Sequence, residues 1–236
     1  MVTNAAPAPA LLVSIPASNY VEKARWALQL AGIPFEEEKH VPVLAYRSTM
    51  PKGGRTVPLL KTGTLVLKDS ADILEYCAQT MPSLYPNEEA KRLELLFDNH
   101  FGSHLRRVAW LFFPIIKFLI VKGNSVYEAR VHNSWERLIK VAKEQEAKLG
   151  DGPVGSHFLA GPTFSAADIT FCSHMALVIH PPELKYLSNY FSDEHIPADF
   201  RERIDALRQS KIGQFVYWCY KNRRPDVMTT MPRKTA

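Results

Sequence analysis

The sequence predicts an α+β chain, with a small mixed domain at residues 10–80 and an all-helical domain at residues 87–221. Three observations predict it. Short apolar runs bounded by Gly and Pro fall only in the first third, at 11–15, 57–60 and 64–67. A proline-bearing break without periodicity, Met81-Pro82-Ser83-Leu84-Tyr85-Pro86, closes that third. Beyond it, apolar residues recur at helical spacing and no further strand pattern appears.

Taken in order, residues 1–9 read as a flexible Ala/Pro leader and Leu11–Ile15 as a central strand. Val21–Ala31 is a helix with Val21, Ala24, Leu28 and Ala31 on one face, stopped by Gly32 and Pro34. Phe35–Val43 alternates loosely, as an edge strand does, and residues 45–56 form a polar loop. Val57–Leu60 and Thr64–Leu67 make a hairpin around Thr62-Gly63, and Pro58 opens its first run, where a proline does not interrupt a central ladder. A helix follows from Ser70 to about Gln79, with Ser70 as N-cap candidate and Asp72 in its first turn. This βαβ–ββα order is that of a thioredoxin-like domain.

In the second domain, Glu88–Val121 is a long helical pattern, broken or kinked at Pro114. Ser125–Leu149 is amphipathic, Phe158-Leu159-Ala160-Gly161 is a tight apolar turn, and a helix opens at Ser165 and stops at Pro181-Pro182. Ser165-x-x-Asp168 has the form of a capping box, with aspartate in the glutamate place. Shorter helices are expected near 199–208 and 210–221, and residues 222–236 as a second flexible end.

Composition narrows the function classes. The formal net charge of +5 is carried mostly by Lys221, Arg223, Arg224, Arg233 and Lys234 near the C-terminus, so the rest is close to neutral and nucleic acid is not an expected partner. Cys77, Cys172 and Cys219 have neither CxxC nor metal spacing, so small buried hydrophobes in a reducing compartment are expected. No signal peptide is read at the N-terminus. The most apolar segment, Trp110–Val121, is interrupted by Pro114 and Lys117 and falls short of the ~20 residues of a membrane span. The histidines form no tight cluster with acidic residues, so no metal site is expected.

Between Thr56 and Cys77 a strand edge, a proline and a helix N-terminus come together, an arrangement suited to a small peptide-like anion. Val57-Pro58 followed by Asp69-Ser70 resembles the glutathione-binding half of the glutathione transferases. The resemblance implies that Pro58 is cis and that Val57 pairs through its backbone with the cysteinyl part of glutathione. It also implies that Asp69 and Ser70 hold the γ-glutamyl end. The Ser165–Asp168 element is similar to one that opens a core helix in the helical half of the same family, where it serves folding. With the serine loop between the first strand and first helix, these make three motifs in the family's order, and the resemblance covers about residues 11 to 221.

Ser18-Asn19-Tyr20-Val21-Glu22-Lys23 lies between the first strand and first helix and resembles the loop of the serine- and cysteine-type transferases, with Lys23 five residues after the serine. Glutathione's thiol titrates near ~8.5, so little of it is thiolate at neutral pH. A hydroxyl donor beside a helix N-terminus stabilises the anion. Ser18 is the candidate for that donor, and Tyr20 the alternative. Asn19-x-x-Glu22 also reads as a capping box, by which the loop would serve only to start the helix. Serine in place of cysteine at 18 argues against thiol–disulfide chemistry. Lys52 and Arg55, with His40 weaker, are candidates for the glycyl carboxylate. Trp110, Phe113 and Tyr217 are candidates for the electrophile pocket, each also readable as core.

The resemblance therefore implies a glutathione transferase in a homodimer and a cytoplasmic setting. Glutathione would be co-substrate rather than a permanently bound cofactor, and a small hydrophobic electrophile the partner. A non-catalytic binding protein on the same fold and a glutathione-dependent peroxidase or isomerase stay open beside it. Tyr-Val-Glu-Lys-Ala-Arg-Trp departs from the commoner arginine-bearing loops, which leaves the class within the family open.

Overall fold

A computed structural model of the chain describes residues 9–109, 125–189, 193–196, 198–225 and 231–232. It divides into two compact units, residues 1–81 with 225–236, and residues 82–224.

The first unit is built on a sheet of order β4-β3-β1-β2-β5. β1 (Ala10–Ser14) is a nearly continuous buried apolar strand, as a strand covered on both faces must be. β2 (Phe35–Lys39) runs parallel to it, so the connection is a crossover through α1 (Asn19–Leu30). Gly32, at φ 64°, supplies the left-handed residue that ends α1. β3 (Leu59–Thr62) pairs antiparallel with both β1 and β4 (Leu65–Leu67). Gly63, at φ 55°, turns the hairpin. α3 (Ser70–Thr80) follows and packs against α1.

Three expectations change here. Phe35–Val43 is a strand only to Lys39, and the polar loop begins in a helix, α2 (Pro42–Thr49), with proline in its first turn. Within the tail, Met231–Pro232 forms β5, parallel to β2, where a free end was expected. The break after Met81 contains a 3₁₀ turn, Pro82–Leu84.

In the second unit, α4 (Glu88–Leu96) passes through a π-turn (Phe97–Phe101) into α5 (Gly102–Ala109). The expected break at Pro114 lies outside the described residues; the π-turn is a change of helix type that the sequence pattern did not mark. α6 (Ser125–Lys148) and α7 (Ala166–Ile179) follow. Every residue of α7 is buried, as expected of a helix apolar on all sides. It packs against α4, α5, α8 (Ala198–Gln209) and α9 (Lys211–Asn222). Phe171 on α7 meets Phe97 edge-on at 5.2 Å and stacks on Phe101 at 5.1 Å, filling the space beside the π-turn. The turn before α7 closes as expected, with Phe158 and Gly161 exchanging backbone hydrogen bonds of 2.9 and 3.2 Å. Ser165 and Asp168 form the capping box.

The α8–α9 corner depends on a glycine. A Cβ at Gly213 would lie 2.1 Å from the Leu207 carbonyl oxygen and 2.8 Å from that of Arg208, and backbone has no rotamer by which to yield. Gly213→Ala is therefore expected to cost about 2 kcal/mol, measured as a lower denaturation midpoint with an unchanged slope.

Candidate functional site

Strand register gathers the candidate residues at one end of the first unit's sheet. Val13 pairs with Leu59, so Pro58 and Val57 come alongside the end of β1, where the chain turns toward Ser18. Leu60 pairs with Leu67, so Asp69 and Ser70 reach the same end two and three residues on. α1 and α3 both begin there, which brings two helix N-termini, with their positive dipole ends, to one place.

Ser18 is the N-cap of α1, half-buried and in extended backbone geometry, with its Oγ accepting from the Val21 N–H at 3.5 Å. That long bond leaves the hydroxyl proton available for an acceptor outside the helix. The Asn19–Glu22 capping box is not formed: Ser18 caps instead, and Glu22 accepts from Arg25 at 2.7 Å. Tyr20 stands within the first turn of α1, half-buried. Ser14 ends β1, fully buried, and its carbonyl accepts from the His40 N–H at 2.9 Å.

The Val57–Pro58 peptide is cis. Asp69, rather than Ser70, is the N-cap of α3, and its Oδ1 accepts from the Ala71 N–H at 2.9 Å. Ser70 is the first helical residue and is buried, whereas Asp69 is exposed. Asp72 sits in the first turn of α3; burial, then the Asp69 and Glu75 carboxylates, push its carboxyl above the ordinary value, and Lys23 opposes them.

Beneath this end lies an ionic network that sequence reasoning did not find. Arg25 on α1 reaches Glu37 on β2 through two hydrogen bonds of 2.6 and 3.3 Å and Glu22 at 2.7 Å, with all three side chains almost wholly buried. Burial alone would push the Glu37 carboxyl up; the Arg25 guanidinium outweighs it and holds the group below its usual value. The sequence carried a signal, since three glutamates run through a five-residue strand and Glu22–Arg25 is an i, i+3 pair. Lys23, read as the basic residue of the loop, is fully buried.

A second cluster joins β2 to α2. Ser48 Oγ donates to Glu38, His40 Nε2 lies 2.7 Å from the same carboxylate, and Lys52 donates to the Ser48 carbonyl and Oγ at 2.9 and 2.8 Å. Lys52 Nζ is also 3.6 Å from Glu38. Burial raises the Glu38 carboxyl, but Ser48, His40 and Lys52 together bring it below its ordinary value. Lys52 thus has protein partners of its own, while Arg55 stands exposed in the loop before Val57.

Residues 12–89 match the family described as "Glutathione S-transferase, N-terminal domain". The match makes the first unit similar to the N-terminal domain of that family. No curated protein matches the chain in sequence. Among solved structures, glutathione S-transferase I from maize, in complex with an atrazine glutathione conjugate, is 24% identical, with 91% of this chain and 99% of that one covered and a TM-score of 0.58. The theta-class glutathione S-transferase of Xanthomonas axonopodis pv. citri with glutathione bound is 23% identical over 89% and 97% of the two chains, TM-score 0.53. Glutathione transferase F2 from Populus trichocarpa is 18% identical over 90% and 99%, TM-score 0.58. These likenesses show the glutathione transferase fold, a thioredoxin-like domain followed by a helical one.

Of the pocket candidates, Trp110 and Phe113 lie outside the described residues. Tyr217 belongs to the helical unit, where its hydroxyl donates to the Ile179 carbonyl at 3.1 Å at the end of α7. Cys77, Cys172 and Cys219 are free and buried, and burial pushes the Cys77 thiol up to about 12. Among the described residues, no group of three or more His, Cys, Asp or Glu is placed to hold a metal ion. None of the described helices is long and apolar enough to cross a membrane.

Proposed function

We propose that this chain is a glutathione transferase of the serine type, activating the glutathione thiol as thiolate for attack on a small hydrophobic electrophile. The observation that carries the reading is the meeting of Ser18, Val57-Pro58 and Asp69-Ser70 at the one sheet end where α1 and α3 begin. In this reading Val57 pairs through its backbone with the cysteinyl unit, Asp69 and Ser70 take the γ-glutamyl end, and Lys52 or Arg55 the glycyl carboxylate. Ser18 donates to the sulfur, with Tyr20 as the alternative donor. Tyr217, Trp110 and Phe113 are the proposed contributors to the electrophile pocket. Glutathione is co-substrate and not a resident cofactor; the homodimer and cytoplasmic setting rest on the family alone. The glutathione and the glutathione conjugate held by the Xanthomonas and maize proteins support the substrate class.

The test is the ultraviolet absorbance of thiolate as glutathione is titrated on the protein. The bound thiol is expected to titrate one to two units below ~8.5, each unit corresponding to ~1.4 kcal/mol of preference for the anion. Binding with an unshifted thiol would mean a glutathione-binding protein without conjugating chemistry. Failure to bind glutathione would overturn the proposal.

A further inference from the structure

The seam between α5 and α6 gathers basic side chains around a buried serine. Ser134 on α6 is 1% exposed. Its Oγ accepts from Arg107 Nη1 at 2.8 Å and lies 3.2 Å from His104 Nδ1, both on α5. Helical spacing adds two more groups. Arg137 lies three residues after Ser134 on α6, and His100 stands one turn before His104 in the π-turn.

Nothing of opposite sign neutralises this group. Among the described residues no carboxylate pairs with His100, His104, Arg107 or Arg137. The acidic residues nearest in sequence are turned to other partners: Asp98 lies 3.7 Å from His174, and Glu136 lies 3.9 Å from Arg203. Burial, then Arg107, Arg137 and His100, hold the His104 imidazole below its ordinary value, so the ring is neutral near pH 7. Ser134 Oγ, already accepting from Arg107, gives its proton to the neutral Nδ1, which leaves the ring's own proton on Nε2. That N–H and most of the Arg107 donors have no partner among the described residues. Arg137 is exposed and makes no hydrogen bond among them. Like charges held together in a part-buried seam repel one another; an anion placed among them removes the repulsion and meets unused planar donors.

We propose that the α5–α6 seam is a binding site for a phosphate group, free or as a monoester, held by Arg107 and Arg137 with the His104 Nε2–H as a third donor. Ser134 is a positioning residue: it ties the guanidinium to the ring and so fixes the donors relative to one another. The site is made entirely of helical-unit residues and stands whether or not the chain activates glutathione.

The test is the Hε1 proton resonance of His104 in the full chain, assigned by its loss in His104→Gln. It is followed at pH 7 and constant ionic strength as sodium phosphate is added, with and without glutathione. The resonance is expected to move saturably toward its protonated position, by the same curve in both cases, because a bound dianion favours the charged ring. Glycerol 3-phosphate separates the two sources: saturation by both compounds assigns the phosphoryl end of a larger molecule, and saturation by inorganic phosphate alone assigns the free ion. Arg107→Gln is expected to abolish saturation. Arg137→Glu, a change at an exposed and unpartnered side chain, is expected to weaken binding about tenfold while the protein unfolds at the wild-type temperature. No saturable shift in the wild type, an equal shift from sodium chloride at the same ionic strength, or wild-type affinity in Arg137→Glu would overturn the site.

Discussion

Ser18→Ala is expected to lower kcat/KM for conjugation of glutathione to 1-chloro-2,4-dinitrobenzene about 100-fold, the usual effect of removing one donor from a developing or resident anion. The pKa of the bound thiol should rise toward that of the free compound in the same variant, and glutathione affinity should change far less. Ser18 also caps α1, and losing the cap costs about 1 kcal/mol of stability, so a fall in activity alone does not identify the cause. Ser18→Asp separates the two roles. Aspartate accepts from the Val21 N–H as serine does, but it has no proton for the sulfur and sets a negative charge beside it. Activity lost in both variants, with stability lost only in the alanine one, assigns the chemistry to the hydroxyl. Full activity in both sinks that assignment, and Tyr20→Phe becomes the decisive variant.

Asp168→Ala is expected to lower the unfolding free energy by about 4 kcal/mol, enough to move the thermal midpoint by about 10 °C. The carboxylate is fully buried and accepts three bonds of 2.9 Å, from the Leu159 N–H, the Ser165 N–H and the Ser165 hydroxyl. Truncation leaves all three donors in a dry site. Burial pushes the Asp168 carboxyl up to about 6, against the pull of those donors. The folded state therefore binds a proton more tightly than the unfolded chain, whose aspartate titrates near ~3.9. Stability from this group is highest at acid pH and falls as pH rises from about 4 to about 6, a swing on the order of 3 kcal/mol. Urea unfolding of the wild type and of Asp168→Asn at pH 4 and pH 7 checks the sign. The wild type should lose ground to the asparagine variant as pH rises; a constant difference would remove the titration from the account.

Much of this architecture was legible in the residues because pattern and chemistry agreed. The β1 run, the Gly63 hairpin and the Ser165–Asp168 box each have one reading. α2 was missed for a physical reason. Among its residues of described burial, Ala45 and Thr49 are buried while Leu44 and Tyr46 face solvent, so apolar character and burial do not coincide there and the segment reads as loop. Asp69 and Ser70 are both good caps in adjacent positions, and only the course of the chain out of β4 selects the first. The Glu22–Arg25–Glu37 network was passed over, despite its i, i+3 pair, because charged residues in sequence read as surface; pairing takes them inside. Sequence order singled out Ser18, Val57-Pro58 and Asp69-Ser70, which strand register brings to one end of the sheet. The engagement of Lys52 by Ser48 and Glu38 required the fold of α2, which the sequence had concealed.

The pairing of Met231 with Glu36 has a consequence for how the chain comes together. The first unit is discontinuous: β5, at one edge of its sheet, follows the whole helical unit in sequence. During synthesis, β1 to β4 and their helices emerge early, but the outer edge of β2 stays open at Glu36 and Glu37 until Met231 and Pro232 leave the ribosome. An open edge is a template for another chain, so the nascent protein carries that exposure through the time taken to make the helical unit. The short β5 then acts as a late, partial cover over Glu36 and Glu37, on an edge that the earlier strands leave open.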